Sequence, residues 1–169
     1  MPLFALLQAG CLLAFAVLLL AAGWQDLRTM RIANRLSVGV AAVFVAWSLA
    51  GLAGGTLVLG DMALAIACAI GVFVIGALAF AAGALGGGDV KLLAAASLFA
   101  GSTFLLEFLT VVALVGGAMG LALLAGAPIG PEAPAAGGTT VRTRLRSGLP
   151  YGPAIAAGGL WVAARLLGA

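Results

Sequence analysis

The chain has 169 residues, 64% of them hydrophobic and 8% charged, with no histidine and a formal net charge of +3. A soluble domain carries about 25% charged residues, so this chain cannot cover its own surface in water and must expose most of it to lipid. Composition excludes a soluble enzyme or binding module and describes one polytopic membrane domain spanning 1–169. The basic balance rests on eight Lys and Arg, without the clustered basic soluble face that nucleic-acid binding needs.

Six apolar segments are predicted, near 3–25, 37–53, 61–82, 90–101, 104–125 and 150–168. The long ones exceed the roughly 17 residues that cross the hydrocarbon. The fourth is short, and it is expected to span in part or to enter at an angle. The first has no basic leading region and outruns the apolar core of a signal peptide, so it reads as a span. Cys11 and Cys68 form no CxxC pair and support neither a zinc site nor a redox couple; both are expected to be small buried residues. Gly116 and Gly120 have the spacing of close helix packing in lipid. The stretch "AGAPIGPEAPAAGGTT" opens a Pro/Gly/Ala-rich loop, about 126–149, expected to be mobile and to leave Glu132 solvated.

The basic residues set the orientation. Arg28, Arg31 and Arg35 fall between segments one and two, Lys91 after the loop between three and four, and Arg142, Arg144 and Arg146 between five and six. The other two loops contain no Lys or Arg. The positive-inside rule then makes the odd-to-even loops cytoplasmic and places the amino terminus outside. Arg165 alone is on the wrong side, where snorkelling accommodates it.

Five acids remain: Asp26, Asp61, Asp89, Glu107 and Glu132. Asp26 ends segment one and Asp89 opens segment four. Two complete crossings separate them, so both belong to the same face. Asp61 and Glu107 belong to the opposite face, where an acid in a first turn complements the helix dipole.

In "DLRTMRIANR" the arginines at 28, 31 and 35 have helical spacing. If the helix continues, they form a stripe facing anionic head groups, chiefly a topology anchor. Asp26 then projects to nearly the opposite side, into the bundle.

The stretch "ALGGGDVKLLAAA" (84–96) sets Asp89 directly after three glycines. Glycines permit unusual dihedrals and close approach of another chain, and an aspartate at a helix start is helped by free amides. No Gly-Lys-Ser/Thr follows, so this is no phosphate loop. A second carboxylate at the same depth changes the reading. Two close carboxylates in a poorly solvated site share a proton. One then acts as base toward water while the other protonates or hydrogen-bonds a scissile carbonyl. That is aspartyl protease chemistry, which needs no metal, histidine or other cofactor.

Gly86-Gly87-Gly88-Asp89 matches the GxGD signature of intramembrane aspartyl proteases, and "GGGDVKLLAA" resembles its form in type IV prepilin peptidases. "DLRTMRIANRLS" is similar to that family's first aspartate segment, and "PYGPAIAAG" (150–158) to its final span. The resemblance covers nearly the whole chain and is nearest to the short branch that processes Flp-type prepilins and pseudopilins. It implies an all-α membrane bundle of about six helices with Asp26 and Asp89 as the catalytic pair, supported by Gly86, Gly88 and Lys91. It also implies a bacterial inner-membrane location, an active site at the cytoplasmic face and a substrate with a basic leader followed by an apolar helix. Two departures stand out. Ala33 occupies the family's usual proline position, so the helix after Asp26 is expected to run on. The paired CxxC motifs of the family's methyltransferase domain are absent, so N-methylation is expected to be absent or supplied elsewhere.

Two other classes use similar material. An ion-coupled transporter subunit also employs intramembrane carboxylates, but near mid-bilayer, where this chain has no charge. A non-catalytic pilus assembly scaffold would keep the helices and lose an aspartate, whereas both are present.

Overall fold

The computed structural model describes residues 2–127 and 150–168. The expected mobile loop, with Glu132, Arg142, Arg144 and Arg146, lies outside the described residues apart from its first two positions. The described chain forms α1 (Pro2–Thr29), α2 (Asn34–Gly54), α3 (Leu59–Ala81), α4 (Gly87–Leu124) and α5 (Gly152–Leu167). The first four are long and apolar enough to cross a membrane, and α5 is a shorter apolar helix. This is a multi-pass helical membrane bundle.

α4 is two arms joined at Gly101, whose φ of 54° and ψ of −157° leave helical space. Asp89 and Leu124 are 35 residues apart, which in a straight helix would separate them by about 52 Å. Both nevertheless line one cavity, so the chain reverses at Gly101. Only a residue without Cβ adopts that left-handed φ at little cost. The loop expected between segments four and five is thereby reduced to essentially one glycine. The first arm, 87–100, rises about 20 Å, less than the roughly 30 Å of a hydrocarbon core.

The reversal sorts the chain ends. The last turn of α1, the α3–α4 connection, the end of α4 and the start of α5 meet around one cavity. Leu57, Asp61, Gly101 and Leu166 gather around a second cavity. Asp26 and Asp89 therefore share one end of the bundle, and Asp61 sits at the other, as the crossing count requires.

The aromatic core ties α1, α2 and the first arm of α4 together. Phe15 stacks on Phe99 with centroids 4.0 Å apart, and Phe44 meets Phe99 edge-on at 5.4 Å. Leu19, Val40, Leu92, Phe108, Ile155 and Val162 complete a buried interior. The short α5 packs on α1 and α4.

Two expectations fail here. The helix does not run on past Asp26: α1 stops at Thr29, and Met30 takes a left-handed φ of 53°. The Thr29 hydroxyl is 2.9 Å from Gln25 O and 3.1 Å from Arg31 O, so it holds the turn without a proline at position 33. The three arginines consequently form no single stripe: Arg28 ends α1 over the Trp24 ring at 4.5 Å, Arg31 lies in the connection, and Arg35 belongs to α2. Cys11 and Cys68 are half-buried rather than buried.

Candidate active site

Asp26 lies in the last turn of α1 and is only 4% exposed. Its Oδ2 accepts a 2.7 Å hydrogen bond from the Gly152 N–H, the first residue of α5. A helix start has unpaired amides and a positive dipole end, both suited to a carboxylate. A Cβ on residue 152 would fall 2.6 Å from Asp26 Cβ and 2.9 Å from its Oδ2. The contact thus demands glycine, and Pro153 next to it needs no amide partner at a helix start.

Asp89 is the third residue of α4. Its Oδ2 accepts from the Gly86 N–H at 3.2 Å, closing the first turn. Its Oδ1 is buried and has no hydrogen-bond partner among the described residues. The glycines before it are used for space alone. Gly86 has an ordinary φ of −78°, and the positive-φ glycines are 55, 83, 101 and 126. A Cβ on Gly86 would lie 2.7 Å from Asp89 Oδ2, and one on Gly88 would press on Ile32 at 3.1 Å from Cβ and 3.2 Å from O. Gly88 therefore lets the α1–α2 connection seat against the start of α4.

Both aspartates line one open cavity of about 1060 Å³. Its walls include Leu93, Val112, Gly116, Gly120, Tyr151 and Ile155, with Met30 near Asp26. Asp26 and Asp89 are its only carboxylates, and no Lys or Arg lines it among the described residues. Gly116 is set close to the Tyr151 ring, where a Cβ would come within 3.3 Å. Among the described residues no three His, Cys, Asp or Glu side chains converge to hold a metal ion.

Lys91 faces elsewhere. Its Nζ donates to Asn34 Oδ1 at 3.0 Å, because residues two apart on a helix point to different sides. Support of the Asp89 carboxylate by the Lys91 charge is not seen. Asp61 behaves as expected at a helix start, accepting from the Val58 N–H at 3.2 Å. Glu107 differs from expectation: it lies beyond the first turn after Gly101, accepts from Trp161 Nε1 at 2.9 Å and pairs with Arg165 Nε at 3.5 Å. Arg165, expected to be accommodated by snorkelling, has this partner and also sits 5.3 Å over the Phe104 ring.

The segment "PYGPAIAAG" resembles the family's final span, but sequence reasoning assigns no individual role to Gly152 or Tyr151 within it. The available signal was "YGP", a glycine immediately before a proline where an apolar helix begins.

A membrane bundle with two buried carboxylates on one cavity and, among the described residues, no other ionisable pair there has the makings of an intramembrane aspartyl hydrolase. Residues 13–121 match the type IV leader peptidase family, and the chain belongs to that family. Its members are aspartic-type leader peptidases, so this chain is an aspartic endopeptidase of prepilins. The matched region contains Asp26 and Asp89 and ends before α5. No curated protein and no solved structure matches the chain.

Proposed function

We propose that Asp26 and Asp89 are the catalytic pair of this leader peptidase and cut the bond that joins the leader to the pilin's apolar helix. The observation that carries the reading is their joint burial on one cavity, from helices far apart in sequence. With no cation lining that cavity among the described residues, two negative charges there are costly, and one proton shared between them relieves the cost.

The hydrogen bonds suggest a division of labour. Asp26 has the shorter contact to a helix-start amide, which favours its carboxylate form, while Asp89 Oδ1, without a partner among the described residues, is available to a substrate oxygen. Asp26 takes a proton from water as the water oxygen bonds to the scissile carbonyl carbon. Asp89, protonated, gives its proton to the carbonyl oxygen. As the tetrahedral intermediate collapses, Asp89 recovers that proton, the C–N bond breaks and the proton on Asp26 passes to the leaving nitrogen. The products are the leader's new carboxyl group and the pilin's new amino terminus.

Arg28, Arg31, Arg35 and Lys91 favour a cytoplasmic aspartate end by the positive-inside rule, and the family resemblance implies a bacterial inner membrane. A basic leader lying inside, followed by an apolar helix, suits such a site. The short-branch resemblance favours Flp-type prepilins or pseudopilins, cut after a small residue such as glycine. The test is prepilin processing on a gel, normalised to membrane-bound enzyme. Asp26→Asn and Asp89→Asn should each abolish cleavage with the protein still in the membrane. Normal processing by either variant removes the two-aspartate mechanism.

A further inference from the structure

A second groove opens on the side of the bundle away from the aspartate cavity. α2 and α3 are consecutive in the chain, yet α2 packs on α1 and α4 and α3 packs on α4. Between α2 and α3 runs an open slot of about 560 Å³, floored by the first arm of α4. Its walls are Val38 and Ala41 from α2 and Ile70 and Phe73 from α3, over Ala95 and Leu98. From Lys91 to Leu98 the slot runs about 10 Å along the helix.

The polar groups of this slot are gathered at one end. Lys91 and Asn34 bridge it there at 3.0 Å, and no Asp or Glu lines it among the described residues. The ammonium group uses one of its three donors on Asn34. Ser37, one turn into α2, is 7% exposed, and its hydroxyl has no partner among the described residues. A buried hydroxyl without a partner costs roughly 1–3 kcal/mol, which an incoming acceptor oxygen would relieve. A positive, donor-rich mouth over an apolar slot is complementary to an amphipathic anion.

We propose that this groove binds one anionic glycerophospholipid, with an acyl chain between α2 and α3 and the phosphate on Lys91, Asn34 and the Ser37 hydroxyl. Lys91 is two residues after Asp89 but turned to the other side of the helix. The lipid therefore seats against the outer side of the turn that carries Asp89, without entering the cavity. The proposal is independent of the role given to the aspartates, because binding is read without turnover.

The experiment places the full chain in nanodiscs of phosphatidylcholine doped with phosphatidylglycerol and counts retained lipids by native mass spectrometry. One phosphatidylglycerol per chain should survive release, in preference to phosphatidylcholine. Lys91→Ala should weaken retention about fivefold, the ratio equivalent to the ~1 kcal/mol of one basic contact. Ala41→Phe leaves the positive charge in place but fills the slot, and should abolish retention. Equal retention of the two lipids, or undiminished retention in both variants, overturns the proposal. So does a photo-crosslinker at position 41 that captures the prepilin helix in preference to lipid.

Discussion

Asp61 and Asp89 occupy the same position in two helices. Each is the third residue of its helix, and each accepts a 3.2 Å hydrogen bond from the N–H of the residue preceding that helix. They differ in what surrounds the second oxygen. Asp61 is exposed at the end of the bundle away from the cavity. Asp89 is 9% exposed, has an Oδ1 without a partner among the described residues and shares its cavity with Asp26. A helix-capping role is thus no argument against a chemical one. What separates the two aspartates is the partner that the fold brings alongside.

The sharpest break in the comparison is the amide substitution at both positions. Asn keeps the shape and can still accept from the capping amide, but it cannot carry the proton. Asp89→Asn should lower cleavage by at least the roughly 10²–10⁴-fold of a lost acid–base group, with membrane levels retained. Asp61→Asn should leave cleavage near normal and cost about 0.3–1 kcal/mol of stability through the helix dipole. Loss of cleavage in the Asp61 variant, at normal expression, would mean that the two ends of the bundle have been misassigned.

The next largest effect is expected at Gly152. Here the comparison moves to Asp26, held by an amide 126 residues away where Asp61 and Asp89 are held from within their own turns. A methyl group at 152 collides with Asp26 Cβ and Oδ2, so Gly152→Ala must displace either the carboxylate or the start of α5. Cleavage should fall by about 10²-fold, the loss a 1 Å misplacement can cause. The rate at saturating prepilin should carry that loss, with binding of the uncleaved substrate little changed. Unchanged cleavage would show that the Gly152 amide does not position Asp26.

How much of this was legible beforehand depended on the kind of signal. Helix positions and the common end of Asp26 and Asp89 follow from apolar lengths and crossing parity, which the lipid environment enforces strictly. The break between the fourth and fifth segments at 101–104 follows in the same way, but not its form, a reversal on the single residue Gly101 without a loop. A single glycine in an apolar run resembles the other glycines of this chain until its φ is known. The end of α1 also differs from expectation, because Ala33 permits helix and the stop is made by Met30 and the Thr29 hydroxyl. The Gly152–Asp26 bond joins positions 126 residues apart, and the local "YGP" signal marks a helix start without identifying the partner. Glu107 was placed at the correct end but given the wrong partner, since a dipole argument ignores Trp161 and Arg165 on the neighbouring helix.

The smallest effect on chemistry is expected from Glu107, and it defines the far end of the comparison. Like Asp61 it lies away from the aspartate cavity, but its contacts run between helices, from the second arm of α4 to α5. Both partners are substantially exposed, at 49% for the Arg165 side chain and 41% for that of Glu107, so the pair is a weak one. Glu107→Gln retains an acceptor for Trp161 and removes only the charge. Cleavage should stay within about twofold of the parent, because the start of α5 that holds Asp26 is about two and a half turns from Trp161 along the helix. A cleavage loss as large as that of Gly152→Ala, with normal expression, would mean that the Glu107–Arg165 end controls how α5 presents its first amide to Asp26. The two ends of the bundle would then have to be treated as coupled through the short rigid length of α5.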